Sequence, residues 1–178
     1  MPKVSQEHLD ARRQQIVDAA RVRFAGHGFA RTSMADIVAA SGLSNGAIYR
    51  YFTSKDDLIV AVCEQGTDAL PSELTATTIA AFFDHVRARA AESGHARLVA
   101  QIYAEAAVSP ALAEIVREQL ASVRAHVAGL VPARRRADAG QIAEAFVALS
   151  MSYNQQLAVR GDFDPAPFTA ALVAIIDR

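Results

Sequence analysis

Apolar residues recur three and four positions apart along almost the whole chain, and no segment reads as an alternating strand. The pattern predicts an all-α protein of about nine helices. Ile16, Val17, Ala20 and Phe24 share one face of a first helix over about 7–26, stopped by Gly26 and Gly28. A second starts at Ser33, whose S-x-x-D spacing to Asp36 is that of a capping box, and stops at Gly42. Ser44 caps a short third helix to about Phe52. Ser54 and Asp57 open a fourth, which ends before Pro71. The fifth spans about 75–92 with Gly94 as its stop, and the sixth about 95–107. Ser109-Pro110 opens a seventh that ends near Leu130. Asp138 and Gln141 cap an eighth to Arg160, closed by Gly161. Asp164-Pro165 opens a ninth that reaches the C-terminus.

The segment from Thr32 to Leu58 reads as two short helices joined by Ser41-Gly42-Leu43. Ala39 and Gly42 are small enough for a tight crossing, and Ile37, Leu43 and Ile48 supply a miniature core. A bihelical unit of this kind places its second helix in the major groove of DNA. Ser33 at a helix N-terminus is suited to a phosphate. Ser44, Asn45, Gly46 and Ala47 form the leading turn of the recognition helix. Gly46 permits a close backbone approach, Tyr49 and Tyr51 carry hydroxyls for phosphate, and Lys55 adds charge.

The pattern formed by Thr32, Ile37, Gly42, Leu43, Ser44, Gly46, Ile48, Tyr49, Tyr51, Phe52, Lys55 and Leu58 resembles the signature of the TetR family of bacterial regulators. The resemblance covers roughly residues 10–60. It implies that Ser33, Tyr49, Tyr51 and Lys55 contact phosphate and that Asn45, Ala47 and Arg50 meet base edges, within an interface that also includes Thr32, Ser44 and Gly46. The Ala47 side chain offers no hydrogen bonds, so specificity leans on Asn45, Arg50, thymine methyl groups or DNA shape.

Charge supports this reading once it is divided by position. The net charge of −1 splits into +4 over residues 1–55 and −5 over 56–178, a basic head on an acidic body. The division expected is a DNA-binding domain over 1–54 and a helical effector-binding and dimerisation domain over 55–178. The single cysteine, Cys63, cannot form an intrachain disulfide and suits a reducing cytoplasm. The charged N-terminus does not read as a secretory signal, and no uncharged apolar run reaches the ~20 residues of a membrane span. His8, His27, His85, His95 and His126 are not spaced as metal ligands, and no nucleophile–base motif appears. Neither a cofactor, a metal nor an enzymatic activity is expected. Arg134, Arg135 and Arg136 read as a loop whose contacts the sequence does not specify.

For the body, the eighth helix carries Ile142, Phe146, Leu149, Tyr153 and Leu157 along one side, and the ninth carries Phe168, Leu172, Ile175 and Ile176. The resemblance implies that these two helices pair with their copies in a second chain, through Ile142, Phe146, Leu149, Phe168, Leu172 and Ile175. Phe82, Phe83, Tyr103, His126, Met151, Tyr153 and Asn154 are candidates for an effector pocket with aromatic walls and a few polar groups. The function expected is a repressor released from a palindromic operator by an apolar or aromatic small molecule, with the fourth helix transmitting the change. The alternative is a regulator governed by a protein partner without a small-molecule effector. Operator, effector, regulated genes and the sign of regulation lie beyond the sequence.

Overall fold

The structure, a computed structural model, describes residues 6–64 and 70–178. It contains nine α-helices and no strand among the described residues. They group into two compact units, Met1–Gly66 and Thr67–Arg178.

The first unit holds α1 (Gln6–His27), α2 (Met34–Ser41), α3 (Asn45–Tyr49) and α4 (Lys55–Glu64). Ile16, Val17, Ala20 and Phe24 of α1 are buried, as the helical spacing requires, and meet Ile37, Ile48, Phe52 and Leu58 in one small core. The unit divides from the next after Gly66, not after residue 54, because α4 packs on α1. The part of the fourth helix expected between Gln65 and Ala69 lies outside the described residues.

Local chemistry sets the ends of these helices. Ser33 and Asp36 form the expected capping box. Thr53 and Ser54 both donate backbone amides to the Asp57 carboxylate, at 2.9 and 3.1 Å, while the Asp57 amide donates to Ser54 Oγ at 3.1 Å. Gly42 ends α2 at φ 69°, a left-handed conformation that disfavours any side chain with a Cβ. The turn is then closed by Ser41, whose hydroxyl donates to Val38 O and accepts from the Leu43 amide. Gln15 of α1 donates to Ser41 O at 2.8 Å and so satisfies a carbonyl that α2 leaves open.

The second unit holds α5 (Ala76–Ser93), α6 (His95–Ala106), α7 (Pro110–Leu130), a 3-10 turn (Ala133–Asp138), α8 (Ala139–Arg160) and α9 (Ala166–Asp177). α8 is its central element and packs against α5, α6, α7 and α9. Ile79, Phe83, Val127, Ile142, Phe146, Tyr153 and Leu172 are at most 1% exposed and define the core.

An aromatic cluster fills that core. Phe82 and Phe83 lie 5.2 Å apart, Phe82 and Phe146 5.0 Å, and Phe83 and Tyr153 5.2 Å. Tyr153 also meets Phe163 and Phe168, each at 5.0 Å. These edge-to-face and tilted contacts are the favoured geometries for aromatic pairs. The Tyr153 hydroxyl donates to Phe163 O at 3.2 Å, and burial pushes its pKa up to about 12. Arg87 grips Asp162 through two N–H groups and ties α5 to the turn before α9.

Two expectations about this unit need correction. Asp138 stands at the N-cap of α8 as expected, but its side chain makes no capping bond: its carboxylate accepts instead from Arg135 Nε at 2.8 Å. The triple-arginine segment is a 3-10 turn, not a solvated loop. Arg135 Nη1 donates to Ile175 O and Ile176 O at 3.1 and 3.0 Å, while Arg134 pairs with Asp177 at 3.3 Å. The run thus supplies positive charge and donors to the open carbonyls at the end of α9.

Candidate nucleic-acid interface

α3 is only five residues long, yet it is firmly placed. Ser44 caps it by accepting the Ala47 amide at 3.3 Å, and Tyr51 and Phe52 extend the turn by donating to Ile48 O. Ile48 is fully buried and fixes the helix to the core. The opposite side carries Asn45, Gly46, Tyr49 and Arg50, all exposed, with Tyr49 at 44%. Tyr51 and Ala47 are half-buried at its edges. The surface presented is therefore an amide, a guanidinium and phenol hydroxyls set around a glycine.

A methyl group placed on Gly46 would meet nothing within 4 Å. Its φ is not in the left-handed region either. Nothing inside this unit demands glycine at that position. The glycine leaves the start of α3 open to a close approach from outside.

At the start of α2, Ser33 donates its hydroxyl to the Asp36 carboxylate at 2.6 Å and its amide to the same oxygen at 2.8 Å. These bonds, aided by Arg23 at 3.5 Å, hold the Asp36 carboxyl below its ordinary value of 3.8. The hydrogen bonds from Thr53 and Ser54 depress Asp57 in the same way.

Two of the residues expected at this interface have other duties. Thr32 is 1% exposed, and its hydroxyl donates to Gly28 O at 2.8 Å, so it fixes the turn after α1 and cannot meet a ligand. Lys55 spends one ammonium proton on Phe29 O at 2.9 Å and braces α4 against the same turn. Leu43, expected in the small core, is half-buried, and Ala39 is exposed rather than at the helix crossing.

In the second unit the expected effector and dimer residues separate. Phe83 and Tyr153 are 0% exposed and fully packed, so they line no space that a probe the size of water could enter. They are core. Phe82 is half-buried in the same aromatic cluster. His126 is exposed and bonds Pro71 O at 2.8 Å. Tyr103, Met151 and Asn154 are half-buried, and burial raises the Tyr103 pKa. Ser150 Oγ and Asn154 Oδ1 are buried without a hydrogen-bond partner, although Asn154 Nδ2 reaches Ser150 O at 3.1 Å. Ile142, Phe146 and Leu172 are at most 1% exposed in their own chain, so they cannot face a second one; Leu149, Phe168 and Ile175 are half-buried against the core. The exposed residues include Gln141, Glu144, Ala148, Ser152, Gln155 and Val159 on α8, and Pro167, Ala170, Ala171 and Ala174 on α9.

Cys63 is buried, and burial pushes its thiol pKa up to about 12, which makes it an inert core residue. Among the described residues no group of three His, Cys, Asp or Glu could hold a metal ion, and no helix is long and apolar enough to cross a membrane.

The first unit is thus a helix-turn-helix domain, with a core-anchored second helix that presents its polar face outward. Residues 16–62 match the family model described as bacterial regulatory proteins, tetR family. Over these residues the chain is similar to the DNA-binding heads of that family. An HTH-type transcriptional repressor of Mycobacterium tuberculosis is 43% identical over 70 residues, which cover 39% of this chain and 37% of the relative. The HTH-type regulator YfiR of Bacillus subtilis is 42% identical over 67 residues, covering 38% of this chain and 33% of the relative. The matched stretch therefore spans only about a third of these relatives. Across the whole chain the fold is similar to that of Salmonella enterica GusR, with a TM-score of 0.71 at 23% identity and coverage of 98% of this chain and 97% of the other. It is also similar to the multidrug binding protein EbrR, solved in complex with imidazole, with a TM-score of 0.70 at 20% identity, covering 99% and 97%.

Proposed function

We propose that the chain is a sequence-specific DNA-binding transcriptional regulator, a repressor that acts as a homodimer on a palindromic operator in double-stranded DNA. The observation that carries this reading is the outward face of α3. Asn45, Gly46, Tyr49 and Arg50 are exposed together while Ile48 holds the helix from behind. An amide and a guanidinium are the side chains that pair bidentately with adenine and guanine edges. In this reading Asn45 and Arg50 read bases, Tyr49 and Tyr51 position the duplex, and Ser33 and Lys55 act through the capping box and the turn that they brace.

One head covers a short half-site, so a two-fold dimer is needed to discriminate against a genome. The exposed small residues of α8 and α9 support a close pairing of those helices, in place of the buried side chains first expected. Release by a small apolar or aromatic molecule fits a body that keeps Tyr103 and Met151 half-buried and turns Asn154 Oδ1 and Ser150 Oγ inward without partners. The imidazole bound by EbrR supports the same reading. The protein is expected to work in the cytoplasm, where its DNA lies.

Ala148→Glu combined with Ala174→Glu tests the assembly. Both positions are exposed, so each protomer should fold unchanged. Light scattering should show a dimer for the unmodified chain at about micromolar concentration and a monomer for the variant, with DNA affinity lost in parallel. An unmodified chain that is monomeric at this concentration and still binds its site tightly would overturn the dimer.

A further inference from the structure

A surface cleft of about 420 Å³ runs between the N-terminal half of α1 and the recognition helix α3. α1 contributes His8, Leu9 and Arg12 to its walls, and the other side includes Leu43, Ser44, Arg50 and Tyr51. Arg12 and Arg50 bring a guanidinium to either side of it, and no carboxylate lines it. Its apolar surface comes from Leu9, Leu43 and Ala47, all half-buried. A cationic rim over a partly apolar floor is the chemistry that suits a sugar–phosphate chain: phosphate oxygens take guanidinium donors, and the deoxyribose lies on aliphatic carbon.

We propose that this cleft seats one backbone strand of the duplex, so that Arg12 and His8 of α1 anchor DNA from outside the helix-turn-helix. The proposal rests on the DNA-binding reading above and extends it to a helix that the motif does not include. Two observations favour a strand over a small free anion. The cleft shares Ser44, Ala47 and Arg50 with the face proposed to enter the major groove, so a duplex on α3 brings its own backbone past α1. The cleft also lies on the surface, with basic groups on both of its walls, His8 and Arg12 on one and Arg50 on the other. Arg12 is available for this: it gives one N–H to Gln15 Oε1 at 3.1 Å and retains the rest of its five donors.

The test uses the full chain and a fluorescent mixed-sequence duplex of about 30 base pairs, long enough for two half-sites. Affinity is measured from about 50 to 200 mM KCl, since each lost phosphate contact lowers the slope of log K against log salt by about 0.9. Arg12→Ala should lower the slope by about one and weaken binding about tenfold at mid-range salt. His8→Ala with Arg12→Ala should lower it further. Arg12→Lys, which keeps the charge, should restore the slope. Arg117→Ala, on exposed α7 surface beside Glu114, should change nothing. Circular dichroism melting of the Arg12 variants should match the unmodified chain. If the unmodified chain binds and the α1 variants keep its slope and affinity, the cleft proposal is overturned and the DNA reading stands. If the unmodified chain shows no salt-dependent duplex binding, the DNA reading falls and takes this proposal with it.

Discussion

Replacing Phe83 with Ala should destabilise the helical body by about 3–5 kcal/mol, the range for truncating a fully packed aromatic residue. Phe83 is 0% exposed and meets Phe82 and Tyr153 at 5.2 Å and Phe168 at 6.0 Å. Removing its ring forfeits buried area and edge-to-face contacts, and it leaves a cavity that the surrounding helices cannot close. For a unit of this size roughly 4 °C of melting temperature is lost per kcal/mol, so the shift should be on the order of 12–20 °C. Met151→Ala, at a half-buried position, should cost clearly less. The pair separates a core ring from a pocket wall. A loss below about 1 kcal/mol for Phe83→Ala would mean that the ring already borders empty space, and the original assignment to an effector pocket would return.

The second large effect is expected at Gly46. Gly46→Ala and Gly46→Leu should leave the head as stable as before or slightly more so, because a new Cβ meets nothing and both residues favour helix over glycine. DNA affinity should nevertheless fall in the order Gly, Ala, Leu, by about tenfold for Ala and about a hundredfold or more for Leu. Tenfold corresponds to about 1.4 kcal/mol, within the usual cost of one disturbed base-pair contact. The opposed signs of the two effects carry the argument. A residue chosen for the fold loses stability and function together, whereas a residue chosen for a close approach loses only function. Leu variants that bind as tightly as the unmodified chain would place the duplex away from the start of α3.

Most helix boundaries were legible in the sequence because their signals are local. Ser33 with Asp36, Ser54 with Asp57, Ser109 before Pro110, and Gly42, Gly94 and Gly161 each act within a few residues of their own position, and the helices end where they stand. The outward face of α3 was legible for the same reason: on so short a helix, burial of Ile48 decides what points outward.

What failed was the assignment of partners at long range. An apolar stripe on a helix specifies burial, not which chain supplies the cover. Phe146 and Leu172 therefore read equally well as a dimer seam and as the core in which they lie. Asp138 has the right residue type for a cap, but Arg135 three positions earlier takes its carboxylate while also reaching across to α9. Thr32 and Lys55 belong to the family pattern, yet their hydrogen bonds go to Gly28 O and Phe29 O, carbonyls that only the folded turn brings within reach. Arg12 and His8 were overlooked because they sit on a helix outside the motif, and only folding places them beside Arg50.

The central claim, that α3 reads DNA sequence, is tested most directly by selecting duplexes from a random library with the unmodified chain. The predicted result is enrichment of one two-fold-symmetric site with half-sites about one helical turn apart or more. Repeating the selection with Asn45→Ala and Arg50→Ala should relax preference at separate positions in each half-site, at about 1–3 kcal/mol per position. Failure to enrich any sequence, or an enriched site whose base preferences survive both substitutions unchanged, would contradict it.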